Sequence, residues 1–235
     1  MGAVASSKPS RCGGSRATTL RRVYTGRAYD RLINFTDAVV AVAITLLVLS
    51  IVDIRGDIQE STVWQIIGDH SSELITFAYT FLVVGVMWMV HNRTLCTLRG
   101  FDGPLFMLNL LWLMGIVLLP WPSALAGEGI GIGAVQGDGE LGQSGAGMFY
   151  WGTLAFISAM AGLLSVHIDR HPELQDPDAR RPLTHPWRRT LYPIIFLLLG
   201  VSTMIMPIVG SWLPLLLIPI GIAFGRAERR MDQGA

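Results

Sequence analysis

The chain has 235 residues and a net charge of +1, with 51% of its residues hydrophobic and 15% charged, and a mean hydropathy of +0.48. Its apolar residues come in long blocks, which excludes an ordinary soluble domain and points to an all-α, polytopic protein of the lipid bilayer. The near-neutral total conceals an uneven distribution of charge, so it gives no ground for a nucleic-acid partner.

Residues 1–27 contain six cations, no acid and no apolar core. They read as a disordered, basic cytoplasmic tail beside anionic lipid rather than as a signal peptide. The opening Met-Gly-Ala-Val-Ala-Ser also fits a myristoylation pattern, a weaker reading. Cys12 and Cys96 have no partners at metal-ligand spacing and read as free thiols.

The first predicted span runs from Tyr29 to Val52. After Asp37 there is no formal charge until Asp53, a gap that makes about 22 Å of helix. The apolar flank before Asp37 extends it to bilayer length. A polar link broken by Gly56 follows, with an interfacial turn near Trp64. The second span is predicted over Ser72–Val90, ending at His91, Asn92 and Arg93. A tight turn over Arg99–Pro104 leads to a third span, Leu105–Leu119, closed by Pro120, Trp121 and Pro122, residues that suit an interface. Residues 127–147, with nine glycines and three acids, are expected to form a flexible external loop. The fourth span is Met148–Ile168. Asp169–Arg189 is charged and proline-bearing, the longest internal loop. The fifth and sixth spans are Leu191–Val209 and Trp212–Phe224, the sixth carrying Pro214 and Pro219.

Six spans place both ends of the chain on one side. Of the eighteen lysines and arginines, all but Arg55 fall on that side, so both termini are expected in the cytoplasm. The expected organisation is a basic tail over 1–27, a six-helix membrane unit over 28–225 and a short cytoplasmic tail over 226–235.

On a wheel of 100° per residue, Val42, Leu46 and Leu49 lie within about 60° of one another and form an apolar line. Beside it run Asn34, Ala38, Ala41 and Thr45, a stripe of small or polar residues that lets helices approach closely in lipid. Val40, Ile44, Leu47, Val48 and Ile51 form the bulkier opposite surface. Ordinary packing accounts for this pattern too, with the small stripe against a neighbouring span and the Val/Leu line toward lipid. Arg31 and Asp37 read as a polar pair at the mouth of the helix, although a spacing of six sets them about 120° apart.

The segment RLINFTDAVVAVAITLLVLSI closely resembles the first helix of the transmembrane protein 175 family of potassium channels, whose signature is Arg, three residues, then Phe-Ser-Asp. FLVVGVMWMVHNRTL at 81–95 and LFMLNLLWLMGIVLLPWPSALAGE at 105–128 resemble that family's second and third helices in order and spacing. The likeness is dense over three helices and thin after residue 145. It implies a homotetramer of single six-helix units, with the first helices lining a central pore constricted by apolar rings at Val42, Leu46 and Leu49, and with Thr45 at a family threonine position. It also implies a polar network at the cytoplasmic end in which Arg31, Phe35, Thr36 and Asp37 meet Trp88, His91 and Asn92 of helix two and Asn109 of helix three. Buried polar groups in a membrane need such partners. Thr36 replaces the signature serine and keeps its hydroxyl. Val42 stands where isoleucine is usual, which widens the first ring and shifts the tightest point toward Leu46.

There is no TVGYG-like carbonyl filter. An apolar ring can still favour potassium over sodium, because potassium sheds water more cheaply, and it can gate by dewetting. Asp53 reads as a solvated loop residue or as an acidic ring at the outer mouth. His70, His91, His167, His171 and His185 show no HExxH pattern, and no GxSxG is present, so an enzyme is not expected, nor is a metal or cofactor. The strongest rival is a proton-permeable channel or proton-coupled transporter using Asp37. The expected setting is the plasma membrane, and the expected partners are lipid, other copies of the chain and monovalent cations such as permeant potassium.

Overall fold

The structure is a computed structural model and describes residues 23–52, 62–129, 140–178 and 186–205. The described residues are mostly helical. A short strand β1 (Tyr24–Thr25) precedes α1 (Arg27–Leu46) and α2 (Leu49–Val52), followed by α3 (Val63–Asp69) and α4 (Ser71–Leu95). Strand β2 (Gly100–Phe101) then leads to α5 (Gly103–Leu118), α6 (Pro120–Gly129), α7 (Glu140–Arg170), a single 3-10 turn at Pro172–Leu174, and α8 (Pro186–Ile205). Among the described residues three stretches are long and apolar enough to cross a membrane, Glu73–Leu95, Gly103–Ala126 and Gly145–Arg170. The sixth predicted span, Trp212–Phe224, lies outside the described residues, as do most of the basic tail and the segment 226–235.

Several predicted boundaries move. Residues 23–27 of the expected tail are among the described residues, and β1 pairs antiparallel with β2, Tyr24 opposite Phe101 and Thr25 opposite Gly100. Between these elements Gly26 adopts φ 60° as the N-cap of α1, a conformation open to glycine without a Cβ penalty. The first span is not one continuous helix. Leu47 and Val48 bond back three residues, to the carbonyls of Ile44 and Thr45, a tightened turn that separates α1 from α2. The second span continues past His91 to Leu95.

Pro120 and Pro122 do not close the third span. Pro120 opens α6, where a missing N–H costs nothing, and Ser123 bonds back to the carbonyls of Leu119 and Pro120, through its N–H and its hydroxyl respectively. The glycine-rich stretch is helical at both ends, since α6 reaches Gly129 and α7 begins at Glu140, eight residues ahead of the predicted start. Residues 130–139 of the expected loop lie outside the described residues.

α7 packs along α8 and α5, α4 packs on α6, and α1 leans on α5 and α4. Two apolar clusters result. The larger joins Val40, Ala43 and Leu47 of the first helix region to Trp112, Leu113 and Ile116 of α5 and Leu154 and Ile157 of α7. The smaller, built on Tyr29, Leu32, Leu95, Leu105, Leu164 and Leu174, closes the end of the bundle where the β1–β2 ribbon lies. There the Tyr29 hydroxyl donates to the carbonyl of Leu95. The buried Asp102 carboxylate caps α5 by accepting the Leu105 N–H at 2.9 Å and lies 3.2 Å from His167 Nε2 of α7.

α5 approaches α7 closely at Gly115, where a Cβ would stand 2.6 Å from Cγ1 of the fully buried Ile157. Gly115→Ala is therefore expected to destabilise the protein by about 1–3 kcal/mol through overpacking. Gly152→Ala, at a position with open space around the added methyl, is expected to be neutral or slightly stabilising. Thermal unfolding midpoints of the two variants in detergent check this, and equal midpoints would contradict it.

Candidate functional site

α1 has two sharply different faces. Tyr29, Leu32, Thr36, Val40 and Ala43, at alternating spacings of three and four, are buried, as is Leu47 just beyond. The opposite arc, with Asn34, Ala38, Ala41, Val42, Thr45 and Leu46, is exposed, and among the described residues no element covers it. Val42 is 58% exposed, Leu46 37% and Leu49, past the tightened turn, 59%. Among the described residues the small stripe packs on no neighbouring span. The Thr45 hydroxyl donates to the Val42 carbonyl at 2.7 Å, so it is satisfied within its own helix.

The buried face is fixed by polar contacts. Nδ2 of Asn109 in α5 donates to Thr36 Oγ1 at 2.9 Å, and Thr36 Oγ1 donates to the Leu32 carbonyl at 2.9 Å. On its other side Asn109 Oδ1 lies 2.8 Å from His91 Nε2 of α4. With Nδ2 committed as a donor, the amide oxygen is the acceptor, which assigns the His91 proton to Nε2. The His91 ring stacks on Trp112 with centroids 3.8 Å apart and planes within 3°. Separately, Asp37 Oδ1 accepts from Trp88 Nε1 of α4 at 2.8 Å. His91, Asn109, Thr36 and Trp112 are all at most 3% exposed.

The structure therefore brings together five of the eight residues expected in the network, Thr36, Asp37, Trp88, His91 and Asn109. Arg31 and Phe35 do not join them. Both lie on the exposed arc of α1, because positions 31 and 35 are rotated by about 140° and 100° from 36. Asn92 instead faces Cys96, accepting from its thiol at 3.5 Å, and Cys96 is a free, exposed cysteine. Asp53 and Cys12 lie outside the described residues. Trp112 was not anticipated, although its place one helical turn after Asn109 puts the two on one face of α5. The Asp102–His167 pair links residues 65 apart and has no local sequence signal.

This arrangement limits what the site can do chemically. The donors all run one way, from His91 through the Asn109 amide and the Thr36 hydroxyl to a backbone carbonyl, so the chain ends on a group that passes no proton onward. Asp37 is held by an indole N–H, which is a donor only. Among the described residues no group of three or more His, Cys, Asp or Glu could hold a metal ion.

Architecture and site together define a multi-pass helical membrane protein whose first helix is locked on one face and bare on the other. Residues 31–120 match the family of the endosomal/lysosomal potassium channel TMEM175. This matched segment includes every candidate site residue described above. A potassium channel of Streptomyces collinus is 36% identical over 98 residues, 42% of this chain and 47% of that protein. A potassium channel of Chamaesiphon minutus is 34% identical over 104 residues, 42% of this chain and 49% of that protein. The match to this chain thus spans about half the length of these relatives. In fold, the crystal structure of a lysosomal potassium-selective channel TMEM175 homolog from Chamaesiphon minutus superposes with a TM-score of 0.64 at 24% identity, over 85% of this chain and 98% of that one.

Thr36 gives a direct test of the network. Thr36→Val leaves the Asn109 amide without its acceptor in a buried setting, which is expected to cost about 1–3 kcal/mol. Thr36→Ser keeps the hydroxyl and is expected to lose far less. The fraction of monodisperse protein after heating in detergent checks this, and equal loss in both variants would show that the hydroxyl is not what matters.

Proposed function

We propose that this protein is a potassium-permeable cation channel of the plasma membrane, a homotetramer in which α1 and α2 of each copy surround a central pore. The observation that carries this reading is the bare arc of α1. A membrane helix that buries Val40, Ala43 and Leu47 against its own chain while leaving Val42, Leu46 and Leu49 uncovered has a second face to fill. Its small residues suit close approach of helix backbones, and the potassium channels to which residues 31–120 are related supply the ion. Both termini lie in the cytoplasm on this reading, by the distribution of arginines.

In this assembly Val42, Leu46 and Leu49 form successive apolar collars. An ion crossing them must shed part of its water, and potassium does so at lower cost than sodium, so selectivity arises without carbonyl coordination and is modest. The network of Thr36, Asn109, His91, Asp37 and Trp88 has a structural role, setting the rotation of α1 so that the collars face the axis. No observation favours Asp37 as a proton carrier, since its described partner is a donor that keeps its proton.

Leu46→Asn replaces an apolar collar with hydrogen-bonding groups and lowers both the dewetting and the dehydration barrier. In planar bilayers it is expected to raise unitary conductance and move the potassium/sodium reversal potential toward zero. Val42→Asn acts in the same direction but more weakly. Leu47→Asn places an amide at a position only 1% exposed and is expected to reduce folded protein without altering the selectivity of what survives. Reversal potentials that shift for Leu47→Asn and not for Leu46→Asn would mean that the other face lines the pore.

A further inference from the structure

Arg31 and Phe35 occupy the same face of α1 as Val42 and Leu46. At 100° per residue, Phe35 lies about 20° from both Val42 and Leu46, and Arg31 about 20° from Val42. Arg27, one turn earlier, falls about 60° from Val42. All five side chains are exposed, Phe35 to 48%, while Leu32, Thr36, Val40 and Ala43 hold the opposite face in the core.

Neither arginine has an ion pair or side-chain hydrogen bond among the described residues. The two nearby carboxylates are directed elsewhere. Asp37 accepts from Trp88 on the packed side, and Asp30 falls about 100° from Arg31. A guanidinium remains charged in any protein setting, and one at the edge of a membrane helix without an acid must meet water or a lipid phosphate. Its azimuth separates these choices, because the face it shares with Val42 and Leu46 is the one that encloses the pore.

We infer that Arg31 lines the mouth of the permeation path at the N-terminal end of α1, where its ring of guanidinium groups forms an electrostatic barrier to cations entering from that end. The inference rests on the pore reading above. Arg31 stands about 16 Å along the helix from Val42, with Phe35 between them at about 10 Å. The phenyl rings narrow the path with a wall of low dielectric, which strengthens the field of the charges behind it. A cation arriving from the Arg31 end meets positive potential before it reaches the apolar collars. One arriving from the other end meets the collars first, so the conductance is asymmetric at low salt.

Single-channel currents of the full chain in planar bilayers test this, in symmetric potassium at about 10 mM, where the Debye length is about 30 Å, and at about 1 M, where it is about 3 Å. The wild type is expected to rectify at low salt and to become linear at high salt. Arg31→Gln is expected to raise the current entering from the Arg31 end by about two-fold or more at low salt, with no difference from wild type at high salt. Arg31→Lys, which keeps the charge, is expected to follow the wild type. A merely structural arginine does not give an effect that salt abolishes and lysine rescues.

A wild type that is linear at both salt concentrations overturns the inference, even where Arg31→Gln fails to assemble. Arg31→Gln currents equal to wild type in both directions overturn it as well. If Leu46→Asn still shifts the reversal potential in those experiments, the pore reading stands and only the role of Arg31 falls. If Leu46→Asn is also without effect on assembled protein, the pore reading fails and the inference with it.

Discussion

Asn109 is the group on which the arrangement of the first helix depends. Its amide donates to Thr36 of α1 and accepts from His91 of α4, so one side chain on α5 sets the position of two other helices. In a hydrocarbon setting, where no water replaces a lost partner, a buried amide tolerates little displacement of either neighbour. Stacking of His91 on Trp112 removes the remaining freedom of the imidazole, and the Trp88 bond to Asp37 holds α1 a second time, one residue along. A helix held at positions 36 and 37 cannot rotate about its axis, and the direction of Val42, Leu46 and Leu49 follows from that.

The rest of the bundle supports this lock. The glycine at 115 lets α5 approach α7 closely beside Ile157, so the helix that carries Asn109 is backed by the longest helix of the chain. At the bundle end, the β1–β2 pairing, the Tyr29 bond to Leu95 and the Asp102 cap of α5 join the starts of α1 and α5 to the finish of α4. The turn between α4 and α5 is gripped from its other side as well. Arg99 donates from its N–H to the Leu174 carbonyl and from Nε to the Glu173 carbonyl, and Asp176 donates from its N–H to Thr97. These contacts bind three helix ends into one platform, from which the exposed face of α1 projects.

Much of this was legible in the sequence, for reasons that differ by element. Long apolar blocks determine spans directly, so α4, α5 and α7 were found with errors only at their ends. Those errors have physical causes. A proline at the first position of a helix reads like a stop although it costs no hydrogen bond there, and glycines at 142, 145 and 147 read as a loop although α7 runs through them. The break at Leu47 and Val48 has no such marker, since no glycine or proline stands near it. In the site, Thr36, Asp37, Trp88, His91 and Asn109 were reached through resemblance, because contacts between residues 18 to 73 apart leave no local pattern. Arg31 and Phe35 stand apart from the contacts of Thr36 because helical rotation carries them round α1, although the signature groups the four residues together. Trp112 was overlooked for the opposite reason, its helical spacing from Asn109 being informative only once Asn109 was known to be buried.

The central claim is that the bare arc of α1 meets the same arc of other copies around one axis. Pulsed dipolar spectroscopy on a spin label at Val42→Cys, with Cys12 and Cys96 replaced by serine, measures this directly in lipid. A four-fold assembly around α1 gives two short distances in the ratio of a square's side to its diagonal, and on this account both are shorter than those from a label at Leu198, an exposed residue of α8. Absence of dipolar coupling at position 42, or distances there longer than at position 198, would contradict a central path lined by the first helix.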